Sequence, residues 1–202
     1  MIRRKFKLRA RLNRCAVTCR RTGSGRDRPL AVANHCVVEV IMSIATRVEA
    51  HIRGCGKPYD IVTHARSLNS AQTAEAAHVP GDKLIKCVVL RDDQGYVVAV
   101  LASTGFVRIG KLDRELKRKL RLATEAELRN LFTDCELGSI PPLGAAYGLK
   151  TVMDDSLANQ PEVFFEAGDH ECLIHMRGAD FMALLQDAGH ARFSRRPRLS
   201  SR

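Results

Sequence analysis

The sequence predicts an α/β fold, on three observations. Short apolar runs of strand length are bounded by turn residues, most clearly over 83–90 and 96–102. Segments with helical spacing and capping residues fall between such runs. A composition of 45% apolar and 27% charged residues over 202 positions suits one globular core.

The elements follow in chain order. Met42 opens MSIATRVEAHI, where Ser43 stands as a cap and Ile44, Val48 and Ile52 recur on one face until Gly54-Cys55-Gly56 ends the helix. Residues 59–64 read as a strand, and Ser70 as the cap of a short helix reaching Ala77. The run KLIKCVVL turns through Asp92-Asp93-Gln94-Gly95 into 96–102, giving a β-hairpin. Two helices come next, a basic one over 111–120 and one opened by the capping box Thr124-Glu125-Ala126-Glu127 and closing near Phe132. Residues 149–153, 163–166 and 172–176 read as strands, and 179–186 as the last helix. No internal repeat is present.

Charge divides the chain into three. The formal net charge is +11, yet residues 1–41 hold eleven Lys/Arg against Asp27 and Glu39, a net +9. Residues 192–202 add five arginines and no acid, while 42–191 carry 17 basic and 20 acidic residues, a net −3. The body therefore lacks the global charge of a nucleic-acid binder. Residues 1–41 show no sustained periodicity and are expected to be a disordered basic extension, with Met42 as the natural start. A transit peptide fits the composition; a secretory signal does not, because His35 and Glu39 interrupt the apolar stretch 30–45. The expected organisation is an extension (1–41), one folded domain (42–194) and a basic tail (195–202).

Seven cysteines, an odd set without a CxxC pair, point to reduced thiols and a cytoplasmic protein. Cys15-x3-Cys19 is followed by no His or Cys pair at finger spacing, so no metal is expected. No run approaches the roughly 18 apolar residues of a membrane span. GxSxG, HExxH, P-loop and strand-linked GxGxxG signatures are absent, and no cofactor is implied.

Two features carry the chemistry. Gly138-Ser139-Ile140-Pro141-Pro142-Leu143-Gly144 is a stiff turn: two prolines fix φ and donate no hydrogen bond, and two glycines permit close approach. Its amides on Gly138, Ser139, Ile140, Leu143 and Gly144 are then available to a carbonyl or phosphate. Lys86 is the other feature, the only polar member of the strand face Leu84, Lys86, Val88 and Leu90. It either snorkels from a sheet edge or meets an anionic or carbonyl group in a pocket.

These residues also carry a resemblance. The stretch from about Met42 to Ser194 resembles the YbaK/prolyl-tRNA synthetase editing-domain family through AEAAHVPGDKLIKCVVL, GYVVAVLAS, GSIPPLG, YGLKTVMDDSL and FFEAGDHECLI. The family's essential lysine falls on Lys86 and its Gly-x-x-x-Pro loop on Gly138 and Pro142. The resemblance implies a single compact domain with a mixed, mainly antiparallel sheet packed by helices. It implies a metal-independent hydrolase that removes mischarged amino acids from the acceptor end of tRNA in trans, with an aminoacyl-tRNA synthetase as possible partner and no membrane or DNA. Lys86, Gly138 and Pro142 are its catalytic set, with Ser139, Ile140, Pro141, Gly144, Asp155 and His170 binding substrate. Many members carry a small or hydroxyl residue where this chain has Pro141, a departure bearing on amino-acid specificity. Pro141 and Ile140 would narrow the pocket toward alanine, serine or cysteine, carried on tRNA(Pro) or a related tRNA.

Other residues keep two readings. His170 resembles a pocket residue touching the terminal adenosine or water, and reads equally as a structural histidine. Strand alternation sets His170 and His175 on opposite faces, against a zinc set with Cys172. Asp154-Asp155 is a pocket carboxylate pair by resemblance and a turn cap by default. On the basic helix Lys111, Arg114, Lys117 and Arg118 read as tRNA phosphate contacts or as a solvated face. A non-catalytic tRNA- or synthetase-binding module of the same fold is the rival function, and a hydrolase of another small acyl ester a more distant one.

Overall fold

A computed structural model describes residues 44–196; the expected extension (1–41), the Ser43 cap, Cys15, Cys19 and the tail beyond Arg196 lie outside the described residues. Helix α1 (Thr46–Gly54) buries Val48 and Ile52 as its spacing requires, and Gly56 at φ +62° follows its end. The Ala45 amide ahead of it donates to the Ala167 carbonyl at 2.9 Å, tying the helix start to the sheet. Strand β1 (Asp60–Thr63) leads to α2 (Ser70–Ala76), whose cap is Asn69 and not the expected Ser70. Asn69 is extended, and its side-chain oxygen reaches the Ala71 and Gln72 amides, both at 3.1 Å, which leaves Ser70 inside the first turn.

The hairpin forms as its two apolar runs and the turn between them require. Strands β2 (Leu84–Asp92) and β3 (Gly95–Ala102) pair antiparallel from Ile85–Ala102 to Asp92–Gly95. Gly95 sits at φ +116°, and the Asp92 side chain accepts from the Gln94 amide at 2.8 Å. Beyond it lie β4 (Phe106–Val107), α3 (Ile109–Leu116), β5 (Arg121–Leu122) and α4 (Glu125–Leu131). The basic helix thus ends at Leu116 instead of 120. Lys117 turns left-handed at φ +52°, and the Arg118 Nε swings back to Asp92 Oδ2 at 2.6 Å. Leu120 is thereby buried, and Arg121–Leu122 can pair with β2. Helix α4 carries the expected capping box, with the Thr124 amide on Glu127 at 2.7 Å and the Glu127 amide on Thr124 at 3.3 Å.

The rest of the domain closes the sheet: β6 (Lys150–Asp154), β7 (Glu162–Glu166), β8 (Cys172–Arg177), α5 (Gly178–Leu184), β9 (Gly189–Ala191) and β10 (Ser194–Arg195). The eight-stranded sheet runs β1-β8-β7-β2-β3-β6-β9, with β5 also on β2, and β10 pairs β4 separately. Its ladders are parallel at β2/β7, β3/β6 and β6/β9 and antiparallel at the others, a mixed and mainly antiparallel sheet packed by helices. One face buries Ile85, Val98, Val100 and Phe165 against α1 and α5. The other buries Leu90, Val97 and Leu101 with Leu112 of α3, and Leu84 and Leu173 beside α2. The chain is still paired at Arg195, one position past the expected domain end.

One irregularity positions the site. Strands β2 and β7 pair over only Leu84–Phe164 and Ile85–Phe165, after which β2 meets no strand on that side until β5 at Leu90. The opening lies beside the carboxyl end of β7, where a parallel pair leaves a crevice.

Candidate active site

Lys86 is the first residue of β2 beyond the β7 pairing. Its strand lies inside the sheet, so of the two fates open to it the carbonyl contact is the one found. The half-buried ammonium donates to the Ser103 carbonyl at 2.8 Å, with its Nζ 5.5 Å from the Phe106 ring centroid. Burial lowers its pKa from the usual lysine range. Ser103 is itself fixed, its amide on the Leu84 carbonyl and its hydroxyl on the Gly81 carbonyl, both at 2.7 Å.

The glycine-proline loop meets β2 at Cys87, the residue after Lys86. Glu136 donates its amide to the Gly168 carbonyl at 2.8 Å, anchoring the loop to the turn after β7. Gly138 stands at φ +95°, and a Cβ there would meet His170 Cε1 at 3.0 Å. His170, itself at φ +63° and buried, donates from Nε2 to the Leu137 carbonyl at 2.7 Å. This histidine therefore clamps the loop. On the other side the Cys87 thiol reaches the Ile140 carbonyl at 3.3 Å. Burial pushes that thiol's pKa up to about 12, so it is neutral and no nucleophile.

The loop divides into an outward and an inward half. Ser139 is fully buried and spends its amide and hydroxyl on the Glu136 carbonyl, at 3.2 and 3.0 Å. Its amide is thus not available to a ligand, contrary to expectation. Gly138 and Ile140 amides have no hydrogen-bond partner among the described residues. Pro141, Pro142, Leu143 and Gly144 are buried, and Leu143 plugs the main core. A Cβ on Gly144 would lie 2.4 Å from Thr151 Oγ1, so its glycine serves packing.

The remaining expected residues lie apart from this cluster. Asp155 is exposed at the start of a short 3-10 turn, while its neighbour Asp154 is fully buried. Asp154 accepts from the Phe193, Ser194 and Ser156 amides at 2.8, 2.6 and 3.1 Å, so the two do not form a pocket pair. Lys111 donates to the Arg192 carbonyl at 3.0 Å, Arg118 is paired with Asp92, and Arg114 and Lys117 are exposed. A cleft of about 450 Å³ at the hairpin tip is lined by Arg91, Lys117, Arg118, Lys119 and Arg121 among others. His175 stacks on Phe164 and bonds Glu162 at 3.0 Å, away from His170.

One residue at the opening escaped sequence reasoning. Glu166 ends β7 on the Lys86 face and is only 8% exposed. Its signal was the one that exposed Lys86: a charge closing an apolar run, Val163-Phe164-Phe165.

Residues 64–184 match the aminoacyl-tRNA editing domain. The chain belongs to that family. Its family chemistry is the hydrolytic editing of mischarged tRNA, and Lys86 and the 138–144 loop both fall inside the matched region. The fold of this editing domain recurs in solved structures. A candidate trans-editing enzyme for prolyl tRNA synthetase is 24% identical with a TM-score of 0.66, covering 75% of this chain and 96% of that one. Hypothetical protein APE2540 is 19% identical at TM-score 0.66, covering 74% and 99%. A signal transduction protein from Marinobacter aquaeolei VT8, so assigned provisionally, is 21% identical at TM-score 0.63, covering 75% of this chain and 31% of that one. No curated protein matches the sequence significantly. Among the described residues no helix is long and apolar enough to cross a membrane.

Proposed function

We propose that this editing domain is a trans-acting deacylase that hydrolyses the ester between a small amino acid and the terminal ribose of tRNA, tRNA(Pro) or a related one, without a metal. The observation that supports the reading is that the clamped Gly138–Pro142 loop touches β2 at Cys87, next to Lys86, where β2 has parted from β7. An aminoacyl ester is already activated, so the enzyme's task is placement and charge stabilisation. The unpaired amides of Gly138 and Ile140 supply preorganised donors for the carbonyl oxygen as it gains charge. Lys86 anchors the terminal phosphate or the reacting ester, exchanging its Ser103 contact for the substrate. Ile140 and Pro141 narrow the pocket. One methylene is worth only about 1–3 kcal/mol to a synthetase pocket, which is why small amino acids need a second sieve.

The wider setting is part of the same proposal. Exposed Arg114 and Lys117 would meet acceptor-stem phosphates, with Arg118 positioning the hairpin and not the RNA. The four described cysteines are unpaired, in keeping with a cytoplasmic role beside a synthetase. The folded domain is proposed to begin near Met42, between basic flanks.

Deacylation of a panel of labelled aminoacyl-tRNAs, including alanine, serine and cysteine on tRNA(Pro), tests it. The full chain should cleave a small-residue member selectively. Lys86→Ala should lose at least about 100-fold in kcat/KM, a loss of about 3 kcal/mol of transition-state binding, with an unchanged or raised melting temperature. Salt-sensitive tRNA binding without hydrolysis would establish the non-catalytic module instead, and a preference for bulky residues would overturn the size argument.

A further inference from the structure

Two buried acceptors at the opening have nothing to accept. Glu166 lies one step beyond the Ile85–Phe165 pair, level with Lys86 and on its face. Its Oε1 accepts from the Thr73 hydroxyl at 2.9 Å, and the Ser67 hydroxyl lies 2.7 Å from that same Thr73 oxygen. Its Oε2 is sealed from solvent and has no hydrogen-bond partner among the described residues. The same holds for His64 Nε2. His64 follows β1 two residues after Val62, and Val62 and Glu166 both pair with Leu173 of β8, so the two side chains share a face on either side of that strand.

His64 Nδ1 donates to the Ala65 carbonyl at 2.8 Å, which leaves Nε2 as the acceptor of the singly protonated ring. A buried acceptor left unfilled is costly, and two together call for a donor. Neither nearby cation of the chain pairs with Glu166: Lys86 donates to the Ser103 carbonyl, and Arg66 pairs with Glu136 and Glu171. An aminoacyl ester brings one cationic N–H group of its own, the α-ammonium, a single carbon from the scissile carbonyl.

We propose that Glu166 Oε2, with His64 Nε2, receives the α-ammonium of the aminoacyl group, so that this enzyme distinguishes a free aminoacyl ester from an N-blocked one. The inference rests on the deacylase reading. Burial raises the Glu166 pKa against the pull of the Thr73 hydroxyl, and an arriving cation would favour the carboxylate. Glu166 is a binding residue in this scheme. The ester is still cleaved by water placed at the loop.

The experiment compares alanyl-tRNA(Pro) with its N-acetyl derivative, and likewise each panel member the full chain cleaves. The wild-type chain should cleave the free-amine ester at least about tenfold faster, the worth of one charge-assisted hydrogen bond. Glu166→Gln retains an acceptor for Thr73 and should bring the ratio close to one by slowing only the free-amine substrate. His64→Ala should lower the same ratio and serves if Glu166→Gln does not fold. Equal wild-type rates on the two esters, or a ratio untouched in a folded variant, would overturn the inference while leaving the deacylase intact. Failure to cleave any ester would remove the deacylase reading, and this inference with it.

Discussion

At Gly138 a φ of +95° coincides with the His170 ring, 3.0 Å from where a Cβ would stand. Gly138→Ala therefore meets two costs, a strained backbone and a displaced clamp. It should lose about 1–3 kcal/mol in urea unfolding and lower kcat more than it raises KM, because the Ile140 amide moves with the loop. Lys86 was legible in the sequence because a charge on an otherwise apolar strand face contradicts its surroundings. Ser139 was not, since only the fold reveals that its amide is spent on Glu136. Asp154 and Asp155 show the same limit: adjacent and chemically alike, one is buried on three amides and the other exposed. Sequence carries the residue type; which carboxylate the tail amides select depends on partners some 40 positions away.

Elements with a repeating pattern were readable. The 83–90 and 96–102 runs pair as a hairpin, and the Thr124 box caps α4, because strand-length apolar runs, turn residues and caps are local signals. Strands β4, β5, β9 and β10, of two or three residues each, have no room for a period and exist through pairing with distant partners. Helix α3 fell short for a related reason: Lys117, Arg118 and Lys119 are good helix formers, yet the Asp92–Arg118 pair and the burial of Leu120 outweigh that small preference. At the opening of α5, the Gly178 amide donates to the Pro161 carbonyl at 3.0 Å, and a Cβ would lie 1.7 Å from the Gln160 carbonyl oxygen. Gly178→Ala cannot be absorbed by a rotamer change. It should destabilise by about 3 kcal/mol, read as an earlier chemical unfolding midpoint with an unchanged slope.

Over the whole molecule, the fold class followed from the sequence, whereas the order of the strands did not, since β2 lies between β3 and β7, its neighbours in space but not both in sequence. The C-terminal strands are held by one carboxylate. Burial alone would raise the Asp154 pKa, but the hydrogen bonds of Ser156, Ser194 and Phe193 hold it below the usual aspartate range. A lowered folded-state value means that this stabilisation is present above the unfolded pKa of about 3.9 and is lost as pH falls through the folded one. Asp154→Asn should cost about 2–3 kcal/mol near neutral pH, and the gap from wild type should shrink below about pH 4, measured by urea unfolding across pH. The short β2–β7 ladder has a further consequence, for the order of assembly. Each of its strands belongs to a hairpin of its own, β2 with β3 and β7 with β8, closed by nearby residues. Joining the hairpins closes a loop of roughly 80 residues for two rungs of pairing, a late and entropically costly event. The gap beyond those two rungs is created by that last docking, so a chain that has collapsed but not finished folding would lack the place where the proposed site stands.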